Sequence, residues 1–241
     1  MNLIIDIGNT HTRIAIFRAN ELLDYWQWEP GTLSSHIGEM SVEHCAIACV
    51  GRFSDALRKE IDEIGVEQLL VSGMIPTSLK MRYQTPETLG ADRLAAAVGA
   101  WSLQKGRALL VVDSGTCVTF DYVSAEGEYL GGNIAPGASM RLQAMHRDTA
   151  LLPKCDTAAD LQPIGRNTRQ AMQAGAQLGL RREIEGYIYA FMEENPDGHI
   201  FLTGGGLPQS RLYEHFDQKI TIDKFLVIKG LNEILNETYP S

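Results

Sequence analysis

The chain has 241 residues, a formal net charge of −9 at pH 7 and a sequence pI near 5.2, with 44% hydrophobic and 21% charged residues. This length and composition predict a globular protein of one large or two modest domains, and the acidic balance excludes a nucleic-acid binder that relies on neutralising phosphates. No apolar run is long enough to predict a transmembrane helix, and we expect no signal peptide because Asp6 interrupts the short N-terminal apolar run.

The first half of the chain alternates strand-like and helix-like segments. Residues 3–7 form an apolar strand that ends in polar residues, and residues 12–17 are predicted to be its antiparallel partner. Strand and helix in alternation are typical of an α/β fold. The later elements of this half are predicted strands at 45–50 and 67–72, predicted helices at 53–64 and 91–103, and a loop that contains Pro76 and Pro86.

The second half opens with a predicted strand at 108–113 and a returning strand after it. The glycine-rich stretch YLGGNIAPGASM at 129–140 is predicted to be a loop. A long amphipathic helix is predicted over 167–194, with Asn167 or Thr168 as its N-cap. HIFLTGGGLP at 199–208 predicts a strand, a triple-glycine turn and the start of another helix, and the tail 224–235 ends in a short helix.

Two segments almost half a chain apart share one pattern. LIIDIGNT at 3–10 and LVVDSGT at 110–116 each place an aspartate, a glycine and a threonine after an apolar strand. Chance is the alternative, because Asp-x-Gly is a common turn sequence. The matching strands on either side favour two domains of one ancestral design, which we place at residues 1–107 and 108–241.

Three glycine-bearing turns follow predicted strands, at Asp6–Thr10, Asp113–Thr116 and Thr203–Gly206. Glycines allow a phosphate to approach the backbone, and exposed N–H groups and threonine hydroxyls donate hydrogen bonds to it. An aspartate beside such a turn repels phosphate unless a cation lies between them, so the pattern indicates Mg²⁺ or another hard cation taken up with a nucleotide. P-loop, GxGxxG, HExxH and GxSxG motifs are absent, and the four cysteines form no CxxC pair, which favours free thiols in a reducing cytoplasm.

The three turns together resemble the phosphate-1, phosphate-2 and adenosine motifs of the actin, hexokinase and acetate-kinase superfamily. YQTPETLGADR at 83–93, DSGTCVTFDYV at 113–123 and GGNIAPG at 131–137 resemble, more narrowly, the type III pantothenate kinases. The resemblance extends from residue 3 to about residue 206. It implies two ribonuclease-H-like, actin-like ATPase domains with mixed β-sheets flanked by helices, and an active-site cleft between the domains.

The resemblance also implies how ATP and cations are held. Mg²⁺ is expected near Asp6, and a monovalent cation, K⁺ or NH₄⁺, at Asp113. Arg13 is expected to contact phosphate, although an arginine on a strand surface is the alternative. The residues implied to bind the nucleotide are Asp6, Ile7, Gly8, Asn9, Thr10, His11, Thr12 and Arg13 in the first hairpin and Thr116 in the second.

For the acceptor substrate the resemblance implies that Asp92 is the catalytic base. The alternative is a structural aspartate, because the first turn of a helix is a common place for one. Thr168 matches a threonine that reaches the pantothenate site of a neighbouring subunit, which implies a homodimer, whereas its alternative role is the helix N-cap. The residues implied to bind pantothenate are Tyr83, Gly90, Ala91, Asp92, Arg93 and Thr168.

The resemblance implies a cytoplasmic enzyme that uses ATP to phosphorylate pantothenate to 4′-phosphopantothenate, the first step of coenzyme A biosynthesis. A kinase for another small hydroxy acid or sugar is a second interpretation, which the segment containing Tyr83 and Gly90–Arg93 disfavours. A non-catalytic nucleotide-binding regulator of the same fold is a third, and the combination of Asp6, Asp92 and Asp113 disfavours it.

Overall fold

Two mixed β-sheets with the same strand order organise the protein. The computed structural model describes residues 1–207 and 216–240. The strands are β1 (Asn2–Ile7), β2 (Thr12–Arg18), β3 (Glu21–Gln27), β4 (His44–Cys49), β5 (Glu67–Leu70), β6 (Lys80–Met81), β7 (Leu109–Ser114), β8 (Cys117–Val123), β9 (Glu128–Pro136), β10 (His199–Thr203) and β11 (Ile220–Ile222). The α-helices are α1 (Leu33–Ile37), α2 (Asp55–Ile64), α3 (Ala91–Leu103), α4 (Ala138–Arg147), α5 (Thr168–Glu194) and α6 (Leu226–Thr238).

The first sheet has the order β3-β2-β1-β4-β5, and the second has the order β11-β10-β7-β8-β9-β6. In each sheet the first strand of the repeat, β1 or β7, is central and pairs in parallel with β4 or β10. The next two strands of the repeat lie on its other side. Asp6 and Asp113 occupy matching positions, one residue before the end of β1 and of β7. The repeat predicted from the two hairpins therefore extends to five strands in each sheet.

The chain divides into two compact units that are discontinuous in sequence. Unit 1 comprises Met1–Gly106, Val123–Leu130 and the segment from Phe225 onward, and unit 2 comprises Arg107–Tyr122 and Gly131–Lys224. The two domains predicted from the sequence, residues 1–107 and 108–241, are each continuous in sequence. Unit 1 differs from the first of them because it also includes the β8–β9 turn and α6. The two ancestral domains inferred from the repeat remain a prediction.

In unit 1, α3 packs against α6, and both helices contact the first sheet. All residues of α3 from Arg93 to Trp101 are buried, as expected for a helix covered on more than one face. A Cβ on Gly230 of α6 would stand 1.7 Å from the carbonyl oxygen of Ala95. Glycine at this position allows the two helices to approach closely, so α6 fixes the helix that carries Asp92.

The core of unit 2 forms where α5 packs on the second sheet. Its buried apolar residues come from β7, β8, α5 and β10, and include Leu110, Phe120, Ile184, Ile188 and Ile200. The predicted helix over 167–194 is confirmed. Its N-cap is Asn167, whose side chain accepts a hydrogen bond from the N–H of Gln170 at 2.9 Å.

The predicted loop at 129–140 is wrong, because residues 128–136 form β9 and Ala138 begins α4. A Cβ on Gly132 would stand 1.9 Å from the carbonyl oxygen of Phe120, so the glycine permits a close strand contact instead of a turn. The helix predicted to begin after Leu207 lies outside the described residues. No helix in the described ranges combines the length and apolarity needed to cross a bilayer.

Candidate active site

The first hairpin places Asp6 and Arg13 opposite each other on β1 and β2. Nη1 of Arg13 lies 3.3 Å from Oδ2 of Asp6. The N–H of Gly8 donates to the carbonyl oxygen of His11 at 3.1 Å, which closes the turn. The tip of the turn, residues 9–11, is exposed. The hairpin therefore offers backbone N–H groups and polar side chains at its tip, with a buried carboxylate at its base.

Ile7 contributes to this hairpin through its backbone. Its side chain is buried in the core of unit 1, which leaves no side-chain role at the site. Its carbonyl oxygen accepts hydrogen bonds from the N–H groups of Val50 and Gly51, at 3.0 and 3.1 Å. A Cβ on Gly51 would stand 2.2 Å from the carbonyl oxygen of Gly8. Gly51, a glycine directly after the strand predicted at 45–50, thus supports the hairpin, a role that the sequence analysis missed.

Asp6 carries a buried carboxylate whose pKa is raised. Its residue is 4% exposed, and burial raises its pKa from 3.8 to about 6, although the positive charge of Arg13 opposes the shift. The negative charge of Asp92 raises the pKa of Asp6 further. The structure therefore brings these two predicted site residues close enough to interact. Two carboxylates and one arginine form a site at which a cation is favourable.

Asp92 is the second residue of α3, where the helix dipole favours a negative charge. The N–H of Arg93 donates to Oδ1 of Asp92 at 2.8 Å. Burial raises the pKa of Asp92, and this hydrogen bond and the charge of Arg93 hold the shift in check. Burial therefore gives this carboxylate a higher proton affinity than that of an exposed aspartate, which suits a proton acceptor.

Arg93 and Tyr83 lie against each other at the start of α3. The guanidinium carbon of Arg93 lies 5.7 Å from the centroid of the Tyr83 ring, within the range of a cation–π contact. Arg93 is only 6% exposed, an unusual burial for a charged residue. Ala91 is buried, and Gly90 is the N-cap residue of the helix. The predicted pantothenate-binding residues Tyr83 and Gly90–Arg93 therefore form one cluster in unit 1.

The second hairpin, in unit 2, is held by the triple-glycine turn after β10. Gly204 has a φ of +90°, and a Cβ on it would stand 2.4 Å from both Oδ1 of Asp113 and the carbonyl oxygen of Ser114. The N–H of Gly206 donates to that carbonyl oxygen at 2.8 Å. Glycine is required at residue 204 by both its backbone conformation and its surroundings. Asp113 is thus packed directly against the Thr203–Gly206 turn.

Gly137 supports the same hairpin from its other side. Its N–H donates to the carbonyl oxygen of Thr116 at 3.0 Å. A Cβ on Gly137 would stand 2.5 Å from the carbonyl oxygen of Gly115. Nε of Arg141 donates to the carbonyl oxygen of Pro136 at 2.7 Å, and the guanidinium also pairs with Glu183 of α5. The GGNIAPG motif signalled this region in the sequence, but its contact with Thr116 could not be read there.

Thr168 is exposed at the first position of α5. Its alternative role as N-cap is filled by Asn167. In sequence, Thr168 is distant from the other residues predicted to bind the substrate. It belongs to unit 2, whereas Tyr83 and Arg93 belong to unit 1.

The residues fit the cations that the resemblance implies. Such cations would need ligands besides protein side chains, because within residues 1–207 and 216–240 no group of three or more His, Cys, Asp or Glu side chains could hold a metal ion. Mg²⁺ suits the carboxylate of Asp6, because it is commonly held by one or two carboxylates, with water and substrate phosphates as the other ligands. In unit 2, Oγ of Ser114 is buried without a hydrogen-bond partner beside Asp113. A buried hydroxyl oxygen without a partner can act as a ligand for a monovalent cation at this end of β7.

Comparison with solved structures confirms the fold. A protein from Sinorhizobium meliloti assigned as a 2-dehydro-3-deoxygalactonokinase aligns over 100% of both chains with a TM-score of 0.61 and 14% identity. A ROK family glucokinase from Streptomyces griseus, in complex with glucose and AMPPNP, aligns over 98% of both chains with a TM-score of 0.51 and 10% identity. The expected α/β fold of actin-like ATPases is thereby confirmed.

Comparison of sequences is more specific. A sequence profile of the type III pantothenate kinase family matches residues 2–190. A type III pantothenate kinase from Bacteroides fragilis is 37% identical over 243 aligned positions, which cover 98% of each chain. The match includes both hairpins, the segment containing Tyr83 and Asp92, and α5 as far as Ala190. The chain therefore belongs to the type III pantothenate kinase family.

Proposed function

We propose that this protein transfers the γ-phosphoryl group of ATP to the primary hydroxyl group of pantothenate. The observation that carries the proposal is the placement of Asp92. Its carboxylate is half-buried at the start of α3, accepts the Arg93 N–H, and lies near enough to Asp6 to raise the pKa of that residue. A base placed beside a cation- and phosphate-binding hairpin is what in-line phosphoryl transfer requires.

The proposed reaction combines a proton transfer to Asp92 with the transfer of the phosphoryl group. Asp92 accepts the proton of the substrate hydroxyl group as its oxygen forms a bond to the γ-phosphorus of ATP. The bond between the γ-phosphorus and the bridging oxygen breaks, and ADP leaves with the electron pair. The products are phosphopantothenate, ADP and a proton that Asp92 later releases to water. The half-buried position of Asp92 supports this role, because partial loss of water raises the proton affinity of its carboxylate.

The first hairpin would hold the triphosphate of ATP. Backbone N–H groups at its exposed tip and the guanidinium of Arg13 can neutralise phosphate oxygens. Asp6 would hold Mg²⁺, and Asp113 with Ser114 would hold K⁺ or NH₄⁺, while Thr116 contacts phosphate. When bound, these cations offset the charge that develops on the transferred phosphoryl group.

We further propose a homodimer in the cytoplasm, in which Thr168 reaches the pantothenate site of the partner. The exposure of Thr168 and of two large apolar residues in the segment before it supports this assembly. Leu151 is 92% exposed and Ile164 is 81% exposed. Protein–protein interaction sites are marked by contiguous exposed apolar surface, to which such residues would contribute. The four free cysteines are consistent with a reducing compartment.

A coupled assay of ADP release tests the proposed function. The purified protein, ATP and Mg²⁺ are combined with pantothenate, or with each member of a panel of hydroxy acids and sugars. The assay is repeated in K⁺, NH₄⁺ and Na⁺ salts. We expect turnover with pantothenate in preference to the panel, and faster turnover with K⁺ or NH₄⁺ than with Na⁺ alone. Absence of turnover with pantothenate under every condition would refute the proposal, and preference for another acceptor would reassign the substrate.

A further inference from the structure

The segment that carries Tyr83 has little regular structure of its own. Between β5 and α3 the chain forms only the two-residue strand β6 and a short 3₁₀ helix, Pro86–Thr88. A tyrosine in such a segment needs contacts from outside it to hold one position, because fixing each residue costs conformational entropy. The first two residues of β9 supply those contacts.

The backbone contacts come from the parallel pairing of β6 with β9, in which Met81 lies opposite Tyr129. The N–H of Arg82 donates to the carbonyl oxygen of Tyr129 at 3.0 Å. Nε of Arg82 also donates to Oε1 of Glu128 at 3.0 Å. The residue directly before Tyr83 is therefore tied to β9 by its backbone and by its side chain.

The side-chain contact is an aromatic pair, Tyr129 with Tyr83, and Tyr83 also makes a cation–π contact with Arg93. The ring of Tyr129 is fully buried and meets the ring of Tyr83 edge to face, with centroids 6.1 Å apart and an interplanar angle of 67°. The guanidinium of Arg93 lies over the Tyr83 ring. Tyr129, Tyr83 and Arg93 thus form a continuous stack, which we call the Tyr129 stack, and all three residues belong to unit 1.

We propose that Tyr129 is a positioning residue that sets the affinity of the protein for its acceptor substrate, a small carboxylic acid with a primary hydroxyl group. The inference rests on the proposed function for the identity of that substrate. Tyr129 acts through Tyr83 and Arg93. Its buried ring fixes the Tyr83 ring, and the Tyr83 ring in turn limits where the Arg93 guanidinium can lie. An ordered arginine and tyrosine bind a carboxylate or hydroxyl group without first losing conformational entropy.

The test compares three variants of the full chain. Tyr129→Leu removes the ring, and Tyr129→Phe keeps it. Phe17→Leu is the matched control, because Phe17 is an equally buried aromatic residue on β2, at the end opposite Arg13. We expect Tyr129→Leu to raise the KM for pantothenate by about two- to tenfold, the range given by loss of an aromatic pair. The KM for ATP should stay within about twofold, and both Tyr129→Phe and Phe17→Leu should leave the KM for pantothenate near that of the wild type.

Hydrogen exchange supplies a readout that does not depend on catalysis. We expect faster amide exchange in peptides covering residues 80–89 of Tyr129→Leu, and no such change in Phe17→Leu. Unchanged exchange in that segment would overturn the positioning role, whatever the activity. Faster exchange with an unchanged KM for pantothenate would overturn the link to affinity. If the wild type does not phosphorylate pantothenate, the proposed function is refuted. Faster exchange in Tyr129→Leu than in the wild type would still support the positioning role of Tyr129.

Discussion

A Cβ atom on Gly90 would stand 2.6 Å from Oδ1 of Asp92. The φ of Gly90 is −58°, a value open to any residue. Glycine at this position therefore leaves space for the carboxylate of Asp92, which a side chain here would displace. The same oxygen of Asp92 accepts the hydrogen bond from the N–H of Arg93, so the carboxylate occupies the volume that a side chain at position 90 would fill.

We expect Gly90→Ala to lower kcat by about ten- to a hundredfold, because a displaced base no longer meets the substrate hydroxyl group. The KM for ATP should change little. Gly186→Ala is the control, since a Cβ there has no atom within 4 Å and alanine favours its helix. Steady-state kinetics of both variants check the prediction, and a Gly90→Ala variant with wild-type kcat would show that the carboxylate needs no such space.

Asp92→Asn removes the proposed base while keeping the shape of the side chain. We expect kcat to fall by about a hundredfold or more, with ATP affinity measured by calorimetry unchanged. The wild-type rate should also fall as pH is lowered through the pKa of Asp92, and this decline should begin at a higher pH than an exposed aspartate would give, because burial raises that pKa. A near wild-type rate for Asp92→Asn would remove Asp92 from the mechanism.

Local patterns predicted the elements that carry the site. The hairpin with Asp6, the hairpin with Asp113 and the helix that begins at Ala91 were each visible as short runs of apolar and polar residues. Such patterns report on residues that are neighbours in sequence. The repeat predicted two domains of one ancestral design, each opening with a hairpin, and the strand orders of the two sheets extend the repeat beyond the hairpins.

Contacts between distant segments could not be predicted in the same way. Gly132 within β9, Gly137 beside Thr116 and Gly230 beside Ala95 each permit a close backbone approach. A glycine in a sequence signals a turn as readily as a close contact, so the stretch 129–140 was predicted to be a loop. The contact of Tyr129 with Tyr83 depends on the pairing of β6 with β9, and a two-residue strand leaves no periodic signal in the sequence.

The raised pKa of Asp6 predicts a gain in stability for Asp6→Asn that depends on pH. Below the unfolded pKa of 3.8 the carboxyl group is protonated in both states, so Asp6 causes no loss of stability. As pH rises towards about 6, the unfolded state releases its proton first, and the folded wild type loses stability. Above that pH the loss is complete, about 3 kcal/mol for a shift of this size.

Urea unfolding in EDTA at pH 4 to 8 measures this difference. We expect Asp6→Asn to match the wild type near pH 4 and to have the higher free energy of unfolding at about pH 8, although it should bind Mg²⁺ and ATP poorly. Asp160→Asn, at an exposed aspartate, should differ little from the wild type at any pH. Equal stabilities of Asp6→Asn and the wild type throughout the range would contradict the assigned pKa.

Gly137→Ala tests whether the loop after β9 positions the second hairpin. The added Cβ would meet the carbonyl oxygens of Gly115 and Thr116 at 2.5 and 2.6 Å, so the hairpin must shift. We expect kcat/KM for ATP to fall by about tenfold or more. Gly175→Ala, which has open space around it, should keep wild-type kinetics. If Gly137→Ala is as active as that control, Thr116 does not depend on this contact.

Mixing two inactive variants tests the proposed exchange of Thr168 between subunits. If each site uses Asp92 of one subunit and Thr168 of its partner, a dimer of one Asp92→Asn and one Thr168→Ala subunit contains one intact site and one doubly altered site. After unfolding and refolding an equimolar mixture, half of the dimers are mixed, so about a quarter of wild-type activity should return. Either variant refolded alone should stay inactive. Size-exclusion chromatography with light scattering should report a dimer for every sample. A dimer that recovers no activity would place Thr168 and Asp92 of the same subunit in one site, because each mixed dimer would then lack an intact site.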